Sequence, residues 1–333
     1  MARLFIWLSV SSATIFILVI AAFLFFNHIV TAPSLSVSNK NIYIPPGAGI
    51  HKISQIFYQS HIINKPLLFE WVARVNSYEK PIRSGEYFIP KGASVSDIIK
   101  IIQSGRTVVR KFTVPEGLTT YQIISRLKRA EGLFGQINNI PKEGELLPET
   151  YFYSFGDKRT SIIKRMKKAL TEVLDKYWDS RQIGLPIKNY EDLIILASIV
   201  EKETSIKEER ARVAGVFVNR LKKGMRLQSD PTVIYGLTGG QDNLGRGLTR
   251  KDLMEPNPYN TYSFVGLPEG PIANPGKQSI LAVLNPTKSD ELFFVADGLG
   301  GHRFSENLSD HNKNVRHWRD LKKIKLIYSP RDK

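Results

Sequence analysis

Apolar residues are distributed along this chain in three different patterns. From Leu4 to Phe26 there are 23 residues without Asp, Glu, Lys or Arg, and after Arg3 the next charge is Lys40. As a helix rising about 1.5 Å per residue this run reaches about 35 Å, enough for a hydrocarbon core of about 30 Å. A cleaved signal peptide is the competing reading, but its apolar region should be only about 7–15 residues and end at small residues. Thr31-Ala32-Pro33 is a poor cleavage site, so residues 1–35 are expected to be a cytoplasmic stub and an uncleaved single-pass anchor. Arg3 flanks the short end. By the positive-inside rule the N-terminus is expected in the cytoplasm and the long remainder outside it.

The second pattern is a recurring unit. Ile44-Pro45-Pro46-Gly47, Ile89-Pro90-Lys91-Gly92 and Val114-Pro115-Glu116-Gly117 each close an apolar stretch, and an Ile follows each Gly by six residues (Ile53, Ile98, Ile123). Proline ends a strand because it cannot donate to the ladder, and glycine permits the tight turn. Helical spacing follows: Val95, Ile98, Ile99 and Ile102 share a face, Ser94 can cap it and Gly105 can close it. Ile123, Ile124 and Leu127 repeat the pattern before Gly132. The unit is therefore strand, turn, amphipathic helix. A further helix is expected with Leu67, Leu68, Trp71, Val72 and Val75 on one stripe. Residues 36–108 read as a small β/α module of the packing or binding kind.

The third pattern belongs to residues 109–333, a larger mixed α/β domain, which makes the whole chain α+β. Helices are expected at Ser161–Tyr177, 190–204 and 206–222, the last opened by a Ser205–Glu208 capping box. From Ser229 to Gly276 there are eight Gly and six Pro in 48 residues, about twice the density of the chain. Such a long stretch inside a domain is commonly functional, and its aromatic content suggests a segment lining a groove. Glu291–Ala296 and His302–Ser305 read as a hairpin turned by Asp297-Gly298-Leu299-Gly300-Gly301.

Composition narrows the chemistry. The 333 residues carry 47 Lys+Arg against 31 Asp+Glu, a net charge of +16, with no cysteine. Thiolate chemistry and disulfides are excluded. In a soluble protein this charge would suggest nucleic acid. For an exported domain it suits anionic lipid headgroups and acidic wall polymers, so no nucleic-acid partner is expected. The segment Lys313–Lys333, with eight basic and two acidic residues, reads as a solvated, partly frayed tail. No His-Glu-x-x-His, no Gly-x-Ser-x-Gly and no P-loop occurs, and His302 and His311 read as structural or rim residues. No metal and no organic cofactor is expected.

The informative stretch is Leu193-Ile194-Ile195-Leu196-Ala197-Ser198-Ile199-Val200-Glu201-Lys202-Glu203-Thr204. It is apolar all round for two turns, so its helix should be buried on most sides. Glu201 shares a face with Ile194, Ala197 and Ser198. A carboxyl there is expected at the floor of a low-dielectric cleft, where desolvation raises its pKa toward what a general acid needs. Glu203 points about 200° away, and a structural role there, a salt bridge or turn contact, stands open beside a functional one. From the residues alone, structural and catalytic roles for Glu201 stay open.

These residues carry a resemblance. Ala197–Thr204, then Val213–Leu221, then Gly224-Met225-Arg226-Leu227-Gln228-Ser229-Asp230-Pro231-Thr232-Val233-Ile234-Tyr235-Gly236 closely resemble the endolytic murein transglycosylases, the YceG-like family. Tyr259-Asn260-Thr261-Tyr262, Gly266-Leu267-Pro268-Glu269-Gly270-Pro271-Ile272, Asn274-Pro275-Gly276, Phe294-Val295-Ala296-Asp297-Gly298 and His311-Asn312 extend it over essentially the whole chain. Leu146-Leu147-Pro148-Glu149-Thr150-Tyr151 departs twice from the family's Leu-Phe-Pro-Asp-Thr-Tyr, and Gly-Leu-Pro-Glu-Gly stands for the common Gly-Leu-Pro-Pro-Gly. The resemblance implies a LysM-like module at 36–108 and a YceG-like catalytic domain at 109–333. It implies non-hydrolytic cleavage of nascent peptidoglycan strands between N-acetylmuramic acid and N-acetylglucosamine. That cleavage leaves 1,6-anhydro-muramic ends and terminates strand elongation. Glu201 would be the acid/base, and Gln228, Ser229, Asp230, Tyr235, Tyr259, Asn260 and Tyr262 would line the sugar groove. Partners would be the glycan, the inner membrane and peptidoglycan synthases. Two other readings stand beside it: a hydrolytic muramidase pairing Glu201 with Asp230 or Glu203, and a non-catalytic wall-binding scaffold.

Overall fold

A computed structural model describes residues 2–34, 36–77, 81–241 and 243–328. In chain order the elements are α1 (Ala2–Thr31), β1 (Lys40–Ile44), α2 (Ile50–Gln59), α3 (Pro66–Ser77), β2 (Gly85–Ile89), α4 (Val95–Ser104), β3 (Val109–Thr113) and α5 (Thr120–Arg129). Then come β4 (Thr150–Ser154), α6 (Arg159–Tyr177), α7 (Tyr190–Glu203), α8 (Arg210–Lys222), α9 (Asp230–Thr238), α10 (Arg250–Met254), α11 (Lys277–Leu284), β5 (Phe293–Ala296), β6 (His302–Ser305) and α12 (Leu308–Tyr328). The strands pair two by two, β1 with β2, β3 with β4 and β5 with β6. The fold is thus mixed α/β, with one N-terminal apolar helix. Within α1, Ser11–Thr31 is long and apolar enough to cross a membrane, ending five residues beyond the charge-free run read from Leu4.

The chain divides into two compact units. One runs to Arg110 and takes in Glu131–Leu133 and Phe152–Asp157; the other holds the rest. In the first, β1 and β2 are antiparallel, with Ile42 opposite Tyr87 and Ile44 opposite Gly85. Their inner faces, with Ile53 and Phe57 of α2, Phe69 and Val72 of α3, and Ile98, Ile99 and Ile102 of α4, build its core. The recurring turn holds at all three places. Gly47, Gly92 and Gly117 have φ of +74°, +72° and +75°, where a side chain would be strained. Each turn follows a strand of five residues and precedes a helix of ten. The Ile that follows each by six is buried. Ser94 caps α4 in a box with Asp97, and Thr119 caps α5 in a box with Gln122.

Some elements differ from the sequence reading. On α3 the buried residues are Phe69, Val72 and Ala73, while Leu67, Trp71 and Val75 are exposed. Periodicity named one apolar face where the helix carries two. No Ser205 cap forms. Thr204 Oγ accepts from the Ile206 amide at 3.1 Å, a single 3₁₀ turn spans Lys207–Glu209, and α8 starts only at Arg210. The basic segment from Lys313 is helical to Tyr328 rather than a loose tail; its last five residues lie outside the described ones. The Gly/Pro-rich segment contains α9 and α10.

In the second unit α7, α8 and α11 pack on one another. Every residue from Leu193 to Val200 is buried, as the uniform apolar run requires. The β5–β6 hairpin has Phe294 opposite Phe304. Its turn is held by the Asp297 carboxylate, which accepts the amides of Leu299 at 2.7 Å and Gly301 at 3.0 Å.

Ile98 is fully buried in the first unit and Phe88, on the outer side of β2, is about half exposed. Ile98→Ala removes packed methyl groups and leaves a cavity, so it is expected to destabilise that unit by about 2–5 kcal/mol. Phe88→Ala is expected to change stability by about 0.5 kcal/mol or less. Urea titrations of the two variants check this contrast.

Candidate active site

The site is organised by the C-terminal end of α7. Asn189 caps the helix by accepting the Asp192 amide at 2.8 Å, and Thr204 ends it by turning to extended backbone, φ −141° and ψ 133°. Two acids leave the buried run at this end, two residues apart and so on different sides of the helix.

Glu201 leaves on the side of Ile194, Ala197 and Ser198, and its side chain is 4% exposed. Both its oxygens are engaged. Oε1 accepts from Arg210 Nη2 at 3.1 Å, and Oε2 accepts from the Gly276 amide at 2.9 Å. Arg210 is itself buried and also donates to Glu116 at 2.9 Å. A Cβ on Gly276 would lie 1.9 Å from Glu116 Oε1, so a side chain there would displace Glu116 from Arg210. Charge-assisted bonds of this kind are short and strong. Here they tie the end of α7 to the turn after β3, the first residue of α8 and the residue before α11. Glu201 is thus buried as its helix face predicts, but in an ion-pair cluster.

Glu203 leaves on the other side and lies in the wall of a cleft of about 370 Å³. Around it stand Arg220, Gln228, Asp230, Tyr262, Phe293 and His311; Glu201 is not part of this wall. Ser229 Oγ donates to Glu203 Oε1 at 2.5 Å. Burial pushes the Glu203 carboxyl up to about 7 and the charge of Asp230 adds to the rise, against the Ser229 hydroxyl, His302 and Arg220. Desolvation thus wins over the opposing hydrogen bond, and the acid keeps its proton near neutral pH.

The cleft is built from residues held in place. Tyr262 donates to Asp230 Oδ1 at 2.6 Å. Gln228 has φ +50°, a conformation rare for a residue with a side chain and often found at functional sites. Arg220 is anchored through Nε to the Leu292 carbonyl at 2.7 Å and through Nη1 to that of Leu227 at 2.6 Å. His311 stacks on Phe293 with centroids 5.1 Å apart. Burial lowers its pKa, which favours neutral imidazole, and its buried Nδ1 has no hydrogen-bond partner among the described residues. The cleft therefore combines an acid that titrates near 7 with aromatic faces and polar side chains, a set suited to a polyhydroxylated, N-acylated ligand.

The groove residues expected from sequence separate into groups. Gln228, Asp230 and Tyr262 line the cleft with Glu203. Ser229 is buried behind it and serves the Glu203 carboxyl. Tyr235 and Tyr259, with centroids 4.8 Å apart, line a second cavity of about 690 Å³ with Glu143, Tyr190 and Glu269. Glu143 accepts from Tyr235 at 3.2 Å and from Asn274 Nδ2 at 2.8 Å, and burial raises its pKa. Asn260 is buried; its Nδ2 donates to the carbonyls of Leu253 at 3.1 Å and Glu255 at 2.8 Å, and its Oδ1 accepts the Tyr262 amide at 3.0 Å. It shapes the loop. His302 pairs with Glu209 at 2.7 Å.

Sequence reasoning missed Arg220 and Phe293 as cleft residues, while His311 takes the rim position open to it. No local pattern marks Arg220 and Phe293, because β5 and α8 meet only in the fold. Among the described residues no group of three or more His, Asp or Glu is placed to hold a metal ion.

Residues 42–317 match the sequence profile of the YceG-like family. The chain is 32% identical over 312 residues to a Bacillus subtilis protein named endolytic murein transglycosylase, covering 84% of each. It is 29% identical over 321 residues to a Streptococcus pneumoniae D39 protein of the same name, covering 82% of this chain and 57% of that one. The crystal structure of a YceG-like protein from Listeria monocytogenes superposes with a TM-score of 0.51 at 32% identity, covering 83% of this chain and 98% of the other. The chain belongs to the YceG-like family.

Proposed function

We propose that the chain is a membrane-anchored endolytic lytic transglycosylase of peptidoglycan with Glu203 as its acid/base. The observation that carries this is Glu203 in the cleft wall, holding its proton to about 7. The names of the Bacillus and Streptococcus relatives supply the substrate class. Glu203 protonates the glycosidic oxygen and the C1–O bond to N-acetylmuramic acid breaks. The resulting carboxylate takes the proton of the muramyl C6 hydroxyl, whose oxygen closes on C1 to give the 1,6-anhydro ring. One carboxyl serves both transfers and no water is consumed. The ring closure is intramolecular and gains from proximity.

Sequence placed the acid at Glu201. Geometry favours Glu203, because the Glu201 oxygens are held by Arg210 and the Gly276 amide while Glu203 meets the cleft. Glu201 then acts as a strut that fixes the end of α7. The segment Ser229–Gly276 contributes Asp230 and Tyr262 to the cleft and Tyr235 and Tyr259 to the second cavity, as a groove-lining segment would. We divide the chain into anchor (1–35), LysM-like module (36–108) and catalytic domain (109–333). The β1–α2–α3–β2 order with antiparallel strands supports the module. The Ser11–Thr31 stretch supports the anchor, with the N-terminus cytoplasmic and the catalytic domain on the wall side, near peptidoglycan synthases whose strands it would terminate.

A second reading, hydrolysis, is favoured by Asp230, a second carboxylate in the same cleft. Product ends separate the two. Full-length protein acting on uncrosslinked nascent glycan should leave anhydro ends, lighter than hydrolysed ends by one water in the mass spectrum. Reducing muramic ends that disappear with Asp230→Asn would establish hydrolysis instead.

The two acids are separated by variants. Glu203→Gln is expected to lower turnover about 10²–10⁴-fold. Glu201→Gln and Gly276→Ala should both melt lower, the former by about 3 kcal/mol for an opened buried ion pair, while keeping an alkaline limb near pH 7 in the rate profile. Full activity of Glu203→Gln with none in a folded Glu201→Gln would return the acid to Glu201.

Stability should follow pH in step. The folded state raises the Glu203 pKa, so it binds the proton more tightly than the unfolded chain. That contribution is present below the ordinary carboxyl range and is lost as pH rises through about 7. Glu203→Gln has no proton to lose and is expected to melt above the parent at pH 8, with the gap closing toward pH 4.

A further inference from the structure

The exposed stripe on α3 is the feature of the first unit that its core leaves unexplained. Leu67, Trp71 and Val75 are 80%, 56% and 55% exposed. They are spaced by four, so they stand one above another on a single face, opposite the buried Phe69, Val72 and Ala73. Lys65 and Arg74 are exposed beside them. Three large apolar side chains in line on a water-facing helix mark a surface that meets something.

What it meets is indicated by α1, which belongs to the same unit. The Trp71 ring packs edge-on against Phe26 of α1, with centroids 4.9 Å apart. Val30 of α1 is buried in the core of the unit, and Phe26 packs against that core. The junction between α1 and the unit is therefore packed. Phe26 lies five residues before the end of the apolar stretch Ser11–Thr31, about 7 Å along the helix axis. A bilayer that covers this stretch reaches the level at which Trp71 touches α1. Tryptophan favours this interfacial level, and the Lys65 and Arg74 cations suit the phosphate layer above it.

We infer that the Leu67–Trp71–Val75 face of α3 is a membrane-contact surface, seated in the headgroup region of a phospholipid bilayer beside the exit of α1. The face extends the apolar surface of the anchor on to the folded unit, so the first unit lies against the bilayer instead of swinging on a tether. The inference rests on the anchored reading of α1.

The chain contains no cysteine, so single labels can be placed at will. Leu67→Cys and Val75→Cys, each in the full-length protein, would carry an environment-sensitive fluorophore. Ile17→Cys reports the anchor, and Ile183→Cys, exposed in the second unit, reports the label's own attraction to lipid. The proteins are reconstituted in phosphatidylethanolamine–phosphatidylglycerol vesicles with and without spin-labelled lipid. Expected is quenching at 67 and 75 at least about threefold stronger than at 183, strongest from a quencher placed near the headgroups, together with deep quenching at 17. Quenching at 17 with none above background at 67 and 75 would overturn the inference and leave the anchor standing. Absence of quenching at 17 would remove the anchor and the inference with it.

Discussion

Burying a helix on every side constrains whatever its last turn carries. The eight residues from Leu193 to Val200 have no water-facing side, so α7 is fixed in position and rotation by the packing of α8 and α11. Its final turn then presents two carboxyls to different surroundings. One is met by a buried guanidinium and a backbone amide, the other by a cleft. Arg210 and the Gly276 amide hold the Glu201 oxygens, whereas at Glu203 desolvation raises the pKa against one serine hydroxyl and more distant cations. How each carboxyl is held is thus set by what stands opposite it, within a single turn of the same helix.

The recurring strand, turn and helix shows how one local solution serves different ends. Its first two copies close their turns on themselves, with Ala48 donating to Pro45 and Ala93 to Pro90, both at 3.2 Å. In the third copy the Gly117 amide donates to the Asn274 carbonyl at 3.2 Å, and Asn274 returns its own amide to Leu118 at 2.9 Å. That turn carries Glu116 to Arg210. The same proline–glycine chemistry that ends a strand in the first unit supplies part of the charge cluster in the second.

Local rules carried far in this sequence. The turn glycines, the cap at Ser94, the hairpin around Asp297 and the burial of α7 were all legible, because each depends on residues within a few positions. The α3 face was misread because periodicity finds apolar residues and does not say which of two apolar faces the core takes. The surroundings of Glu201 and Glu203 were not legible either. They depend on Arg210, Gly276, Ser229 and Asp230, whose positions are set by helix packing. Asn260 looked like a ligand contact because an exposed and a buried amide are the same letter. Only its bonds to the surrounding backbone identify it as part of the loop.

The central claim is that Glu203 is an acid kept protonated by its cleft. Carbon-13 NMR of the glutamate side-chain carboxyls, with Glu203→Gln used to assign the signal, measures that directly. The account predicts a titration midpoint near 7 for Glu203. A midpoint in the ordinary range near 4.3 would contradict it and remove the basis for placing the acid there.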